Sequence, residues 1–482
     1  MNLLLISPLD DLDSWLGPAQ AVVPKYEPLG LLYIAAYVRQ QGHAVSVIDC
    51  RAENLSYDAL KDRIRAVVPD VVGISTLTCS GEFVYHLGRW LKAELPGVTV
   101  VLGNIHASVF AREYLLNGCC DVVVHGEGEK PCAEILRCRQ EGKPFDCIPS
   151  ISFLKGGKVV CTGGPAVFED LSALPLPARD LIDSGNYYLT PASNQTYIPP
   201  RGTVVKTIST SRGCLFNCAF CSNYRSIRYN SPKAVVDEME MLERECHASY
   251  ICFTDPLFVA NKDRVRVICA EIRRRGLKVR WNCEGHVNCL SAELLRDMDA
   301  ANCHEIALGI ESGVQRLLDV VRKGTRLDDV RSAIGLIRAN SRIKISGLFI
   351  LGLPGETRAD TLDTIGFAKS LDLDMAQFSV LSPFPGSQIF RELSDAGQLD
   401  TGVSPDGTLR PEVWRRYSSY PAFSSQEPIW VTPGRTSAEL KQLQKRAYRE
   451  FYLRPSQLLK HLPRLVHANP LSMLKTAWNF FL

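Results

Sequence analysis

The sequence predicts an α/β protein: a Rossmann-like doubly wound parallel sheet, then a partial or closed (β/α)6 TIM-type barrel, then a helical C-terminal region. Three observations predict it. Short β-branched runs alternate with amphipathic stretches in the first part of the chain, a second alternation opens at Val204 and repeats six times, and a proline-punctuated stretch separates the two series. The expected boundaries are 1–145 for the first domain, 146–200 for a hairpin and linker, 201–390 for the barrel and 391–482 for the helical end.

In the first series, apolar runs at Leu3 to Ser7, Ala44 to Asp49, Val71 to Ser75, Thr99 to Gly103 and Val122 to Val124 read as strands. Leu29 to Gln41, Tyr57 to Val67 and Phe83 to Leu95 read as helices between them. Ligands of such sheets bind outside the carboxyl ends of the strands. That rule points to Ser75-Thr76-Leu77, Gly103-Asn104-Ile105-His106 and His125-Gly126-Glu127-Gly128-Glu129. Ile151 to Val160 reads as a hairpin turning at Gly156-Gly157, and Leu171 to Pro200, with Pro175, Pro177, Pro191, Pro199 and Pro200, as a connector.

The second series places strands at Val204 to Ser209, Tyr250 to Thr254, Val279 to Cys283, Glu305 to Ile310, Lys344 to Leu351 and Met375 to Val380. A barrel of this kind puts its active site at the strand carboxyl ends. Further on, Thr436-Ser437-Ala438-Glu439 is a helix start signal for Ser437 to Tyr452. Gln457 to Leu482 mixes leucines, Trp478, Phe480 and Phe481 with lysine and arginine. It reads either as a membrane-surface helix or as a basic helix packed on the barrel, since Pro463 and Pro470 interrupt a long amphipathic face.

A chain of 482 residues exceeds one hydrophobic core, and 46% apolar with 22% charged residues is ordinary globular composition. The N-terminus lacks a basic flank, and Asp10 and Asp11 closely follow its short apolar run, which argues against a secretory signal. Without such a signal, seventeen cysteines point to reduced thiols, a metal site and the cytoplasm. A net charge of +3 gives no reason to expect nucleic acid as a partner.

Three of those cysteines stand apart. Ser211-Arg212-Gly213-Cys214-Leu215-Phe216-Asn217-Cys218-Ala219-Phe220-Cys221 follows the first barrel strand and gathers three thiols on one loop. Thiolates select iron-sulfur clusters or zinc. A closed zinc site needs a fourth ligand, and no second cysteine pair of suitable spacing appears. Three thiolates hold three irons of a four-iron cluster and leave the fourth open. Cys246, Cys252, Cys269, Cys283, Cys289 and Cys303 read as small buried hydrophobes.

With Cys214, Cys218, Phe220 and Cys221 the loop resembles the Cys-x-x-x-Cys-x-aromatic-Cys signature of the radical S-adenosylmethionine superfamily. The resemblance implies a [4Fe-4S] cluster on Cys214, Cys218 and Cys221, whose open iron is chelated by the amino and carboxylate groups of S-adenosylmethionine. It implies reductive cleavage of that molecule to a 5′-deoxyadenosyl radical, with electrons from a ferredoxin or flavodoxin. Residues implied to contact S-adenosylmethionine are Phe220, Asp255 in Phe253-Thr254-Asp255-Pro256, Glu311 and Ser312 in Gly309-Ile310-Glu311-Ser312-Gly313, and Gly352 within Gly347 to Glu356. Two positions depart from the pattern: Pro256 stands where a second acid is usual, and His286 where an arginine is.

The domain ahead of the barrel resembles the cobalamin-binding branch of that superfamily, through Pro28 to Ala36, Val101 to His106 and Val124 to Glu129. That resemblance implies cobalamin held at Ser75, Leu77, Gly103, Asn104, Gly126 and Glu127. The Asp-x-His-x-x-Gly loop that supplies a histidine to cobalt is missing, and Asn104 replaces a glycine. His106 and His125 read as core or loop histidines. Methylation of an unactivated carbon is the implied reaction, with cyclisation or rearrangement of a tetrapyrrole or polycyclic lipid as the alternative. The segment Phe451-Tyr452-Leu453-Arg454-Pro455 and the apolar, basic end resemble members that handle lipid-like, isoprenoid or tetrapyrrole substrates at a membrane surface. Transfer-RNA methylthiolation and a non-catalytic cofactor carrier are the competing readings. The first would need three more cysteines arranged for a second cluster, and the intact signature speaks against the second.

Overall fold

The computed structural model describes residues 1–10, 24–188 and 203–460. Pro191, Pro199 and Pro200 of the expected connector lie outside them, as does the C-terminal stretch from 461 onward. Among the described residues no helix is long and apolar enough to cross a membrane. Two compact units divide the chain.

The first unit holds residues 1–10, 27–186 and 384–417. Its strands are β1 (Asn2–Ser7), β2 (Ala44–Asp49), β3 (Val71–Ser75), β4 (Thr99–Gly103), β5 (Val122–Val124), β6 (Ile151–Lys155) and β7 (Lys158–Cys161), in the order β2-β1-β3-β4-β5-β6-β7. The first five are parallel, and β6 and β7 add an antiparallel edge. Helices α1 (Leu29–Gln40), α2 (Tyr57–Val67), α3 (Gly81–Glu94), α4 (Asn104–Val109), α5 (Ala111–Leu116) and α6 (Glu129–Glu141) supply the crossovers. The near-continuous burial of β1, β3, β4 and β5 is what a sheet covered on both faces requires. Gly156 and Gly157, both left-handed, make the β6–β7 turn, so the expected hairpin forms and joins the first sheet.

The barrel strands β8 (Val205–Ile208), β11 (Tyr250–Phe253), β12 (Arg280–Gly285), β13 (Cys303–Glu311), β14 (Lys344–Leu351) and β15 (Met375–Val380) form one parallel sheet in sequential order. A short antiparallel pair, β9 (Ser211–Arg212) with β10 (Arg228–Tyr229), brackets the cysteine loop. Helices α7 (Pro232–Arg244), α8 (Lys262–Arg275), α9 (Ala292–Ala300), α10 (Gln315–Val320), α11 (Leu327–Asn340) and α12 (Arg358–Ser370) alternate with the strands. Capping is explicit: Ser231 accepts from the Ala234 amide with Pro232 at the first turn, and Thr357 with Asp360 forms a capping box. Each such cap is worth about 1 kcal/mol. Cys252, Cys269, Cys283 and Cys303 are buried as the sequence suggests, and Cys246 and Cys289 are half-buried.

The final part of the chain is divided between the two units. Residues 384–417, including α13 (Gln388–Asp395), fold with the first unit, while residues 418–460, including α14 (Ser437–Tyr452), belong to the barrel unit. Trp414 anchors the returning segment. It is 1% exposed, stands edge-on to His106 at 4.3 Å between ring centres, and lies 5.5 Å from Phe110 and 5.8 Å from Tyr114. Arg415 forms a two-pronged ion pair with Glu82, and Asn117 both donates to the Gly407 carbonyl and accepts from the Leu409 amide. Helix α14 begins at the expected signal, with the Thr436 hydroxyl accepting from the Glu439 amide.

Removing the indole tests the anchoring of the returning segment. Trp414→Ala empties a cluster of four aromatic rings, and large-to-small changes of this kind cost about 3–5 kcal/mol. Chemical denaturation followed by fluorescence is expected to show the first unit destabilised by that amount. An unchanged midpoint would mean that the segment contributes nothing to this core.

Candidate functional site

The cysteine loop leaves the barrel directly after β8, and buried polar groups fix its exit. Asp255, at the end of β11, is fully buried and accepts hydrogen bonds from the Thr210 amide at 2.6 Å, the Thr210 hydroxyl and the Ser211 hydroxyl at 2.7 Å. Arg264 donates to the Thr210 carbonyl at 2.8 Å and the Asn230 carbonyl at 3.0 Å, closing the same turn from the other side. Burial pushes the Asp255 carboxyl above its ordinary value, with its hydrogen bonds to Thr210 and Ser211 opposing. Beyond the clamp Gly213 takes φ +88°, with its α-carbon packed against the Ser226 carbonyl. The Cys214 amide donates to Tyr224, the Ala219 amide to Val321 and the Cys221 amide to Cys218.

On this loop Cys214 and Cys218 are half-buried and Cys221 is exposed, with Phe220 half-buried beside them. Burial pushes the Cys218 thiol up to about 11, the Lys323 ammonium opposing, and the thiols of Cys221 and Cys214 are close enough to add to the shift. Asn217, between the thiols, has a buried side-chain oxygen with no hydrogen-bond partner. Phe216 stacks on His286 with ring centres 3.8 Å apart and planes 15° from parallel. The imidazole Nε2 of His286 lies 3.2 Å from the Thr325 hydroxyl, and burial pushes its pKa down to about 4, so the ring is neutral. His286 thus braces the loop.

Glu311 ends β13 in a left-handed conformation, φ +65°, at an irregularity in the pairing with β14. Its carboxylate receives the Lys323 ammonium at 2.8 Å, both side chains less than a tenth exposed. Burial works against the charge on Lys323, but Glu311 and Cys218 outweigh it and raise its pKa. Space for this pair exists because residue 309 is glycine. A β-carbon there would fall on the Glu311 carboxylate and 2.6 Å from the Lys323 nitrogen.

Ser312 is buried with its hydroxyl 3.1 Å from that of Thr364, and it accepts from the Val314 amide. Gly352, φ +79°, turns the chain after β14, and Leu440 of α14 lies 3.4 Å from where a β-carbon would stand. Glu356 closes the same loop by accepting from the Leu353 amide at 2.8 Å and from the Thr361 hydroxyl. The barrel mouth therefore gathers Cys214, Cys218, Cys221, Phe220 and Glu311 with Lys323, whereas Asp255 and Ser312 spend their polar atoms on the backbone and side chains that shape it. Lys323, Arg264 and the Phe216–His286 stack carry no spacing signal in the sequence, because each partner arrives from a different strand–helix connection.

In the first unit, Ser75 and Asn104 meet at the carboxyl edge, where the Asn104 amide group donates to the Ser75 hydroxyl at 3.2 Å. Asn104 takes φ +77°, so asparagine occupies a left-handed position that favours glycine. Gly103 faces open space and Leu77 is exposed. Gly126 and Glu127 are placed differently. The Gly126 backbone bridges to Ala166, the Glu127 amide donates to the Ala166 carbonyl, and the Glu127 carboxylate accepts from the Phe168 amide at 2.6 Å. His125 lies 2.6 Å from the Ser108 hydroxyl and 2.8 Å from that of Ser152, while His106 is fully buried, its pKa pushed down to about 3 by burial. Next to this edge a cavity of about 400 Å³ is lined by Asp10, Tyr57, Cys79, Phe83 and Trp414.

Residues 208–368 match the Radical SAM superfamily and residues 19–136 the B12 binding domain. An uncharacterized methyltransferase of Pyrococcus horikoshii is 31% identical over 443 residues, 90% of each chain. The chain belongs to the radical SAM superfamily, in its B12-binding branch. An anaerobic magnesium-protoporphyrin IX monomethyl ester cyclase of Rubrivivax gelatinosus is 28% identical over 78% of this chain and 67% of its own. The fold is shared with the radical S-adenosylmethionine methyltransferase TsrM of Kitasatospora setae, at a TM-score of 0.68 and 20% identity over 94% of this chain and 89% of that one.

The cofactors of this radical SAM enzyme are accordingly a [4Fe-4S] cluster, S-adenosylmethionine and cobalamin. Its own residues fit them: three thiols on a braced loop, an orphaned buried oxygen on Asn217, and at the sheet edge an exposed leucine beside the open space at Gly103.

Lys323→Met is the sharpest test of the mouth's internal packing, since it leaves the buried Glu311 carboxylate without its cation. Breaking a buried pair costs about 3–5 kcal/mol. Anaerobic denaturation of the variant should register that loss. Wild-type stability would contradict the placement of the pair.

Proposed function

We propose that this radical SAM enzyme uses cobalamin to methylate an unactivated carbon of a hydrophobic or natural-product small molecule. The observation that carries this reading is the Pyrococcus relative, named a methyltransferase and matched over 90% of both chains. Bound cofactors supply the difficult chemistry, hydrogen abstraction by an adenosyl radical and a cobalt-borne methyl group. The protein's part is positional. Cys214, Cys218 and Cys221 hold the cluster, Asp255 and Arg264 fix the loop that carries them, Glu311 and Lys323 present a neutralised polar pair at the mouth, and Phe220 excludes water beside the thiols. Ser75, Leu77, Gly103 and Asn104 receive the corrin. Gly126 and Glu127 act through the connector they hold.

Radical cyclisation is the second reading, favoured by the likeness to the Rubrivivax cyclase. A ferredoxin or flavodoxin delivers the electron. Residues 461–482, basic and rich in leucine and aromatic side chains, make peripheral contact with the inner face of a membrane.

The test uses holoenzyme reduced anaerobically and incubated with S-adenosylmethionine carrying a trideuterated methyl group. Methyl transfer predicts 5′-deoxyadenosine together with cobalamin extracted three mass units heavier than the ordinary methylated form. Formation of 5′-deoxyadenosine with no label on the cobalamin would overturn the methyltransferase reading in favour of cyclisation or rearrangement.

A further inference from the structure

Strand β12 alternates cleanly. Trp281 and Cys283 are buried in the core shared with the barrel helices, which leaves Asn282 and Glu284 on the barrel interior. Their neighbours there are small: Glu284 pairs in register with Ala307, and the next interior position on β13 is Gly309. Room therefore opens beside the Glu284 carboxylate, which stays accessible from within the barrel. Among the described residues Glu284 makes neither a hydrogen bond nor an ion pair, and the side-chain oxygen of Asn282, two residues earlier on the same face, is buried without a partner. Protein packed around the interior face raises the pKa of Glu284, with Glu311 adding to the rise, Lys323 opposing it and Asp255 adding a little more, while the side chain itself stays exposed.

A charge count across the mouth singles this residue out. Asp255 faces Arg264, and Glu311 is paired with Lys323. Glu284 remains as one exposed carboxylate without its own cation, on the interior face of the barrel and within electrostatic reach of the Glu311–Lys323 pair. Such a position is completed by a cation arriving from outside. S-adenosylmethionine brings one: its ammonium and carboxylate are taken up by iron in this superfamily, so the charge left to the protein is the sulfonium. A sulfonium has no N–H or O–H to donate and is held by negative charge or by the face of an aromatic ring.

We infer that Glu284 is the counter-charge for the sulfonium of S-adenosylmethionine and makes the barrel select the cationic cofactor over its neutral thioether counterpart, S-adenosylhomocysteine. The inference rests on the radical SAM assignment and is independent of whether methyl transfer or cyclisation follows.

Equilibrium dialysis of the reconstituted holoenzyme under anaerobic conditions, with S-adenosylmethionine and S-adenosylhomocysteine in turn, tests it. Glu284→Gln keeps the shape and removes the charge. It is expected to weaken S-adenosylmethionine binding about tenfold, the size of a single screened charge contact, and to leave S-adenosylhomocysteine within about twofold. Glu284→Asp is expected to keep the preference. Equal losses for both compounds, or no loss for either, would overturn the inference. Should the glutamine variant fail to assemble its cluster, the wild-type enzyme decides: tighter binding of the sulfonium supports the inference and equal affinities refute it. A wild-type holoenzyme that binds neither compound overturns the family chemistry itself, an outcome distinct from a failure of Glu284.

Discussion

Asp255 takes three hydrogen bonds from Thr210 and Ser211 in the buried turn where β8 becomes the cysteine loop, and the geometry of the barrel mouth follows from that arrangement. A strand end has unsatisfied backbone groups, and in a water-poor interior each must be paired or the turn relaxes. The carboxylate pairs the amide while Arg264 pairs the carbonyl of the same residue, Thr210. With the exit direction set, the β9–β10 pair and the Phe216–His286 stack hold the loop from two further sides. The loop that carries the three thiols is thereby held along its path by protein contacts alone.

Charge is arranged around that support with little excess. The Glu311–Lys323 pair is buried, and breaking either member would strand the other, so its value lies in holding a polar contact in one geometry and not in net stability. Gly309 is the steric condition for the pair, and the left-handed Glu311 is its backbone condition. A strained residue at a barrel strand end, held by a buried lysine, is consistent with backbone strain concentrated at functional positions.

Much of this was legible in the sequence. Every parallel strand of both sheets overlaps the run that placed it, the first sheet's because strands covered on both faces are nearly continuously apolar and the barrel's because at least one face packs under the helices, and the cysteine loop showed its chemistry through its resemblance to a known signature. What stayed hidden depends on residues far apart in the chain. Trp414 docks on His106 and Phe110 some three hundred positions earlier, so no local pattern shows that residues 384–417 return to the first unit. Gly126 and Glu127, read from the sequence as ligand contacts at a strand end, also bond to Ala166 and Phe168 of the connector, a link that no local pattern shows. Asn104 looked like a lost glycine, yet asparagine tolerates the left-handed backbone the position demands and gains a bond to Ser75. Lys323 was invisible because a lysine after a short helix resembles any surface lysine until the fold buries it against Glu311.

The central claim is that one chain carries both a cluster on Cys214, Cys218 and Cys221 and a corrin on its first sheet. Anaerobic reconstitution with iron, sulfide and hydroxocobalamin, followed by metal analysis of the desalted protein, tests it most directly. The account predicts iron and sulfide in the ratio of a four-iron cluster with one equivalent of cobalt. It further predicts that the cluster, but not the cobalt, is lost when the three cysteines are replaced by alanine. Iron retained by the triple variant, or a wild-type protein that releases all its cobalt on desalting, would contradict it.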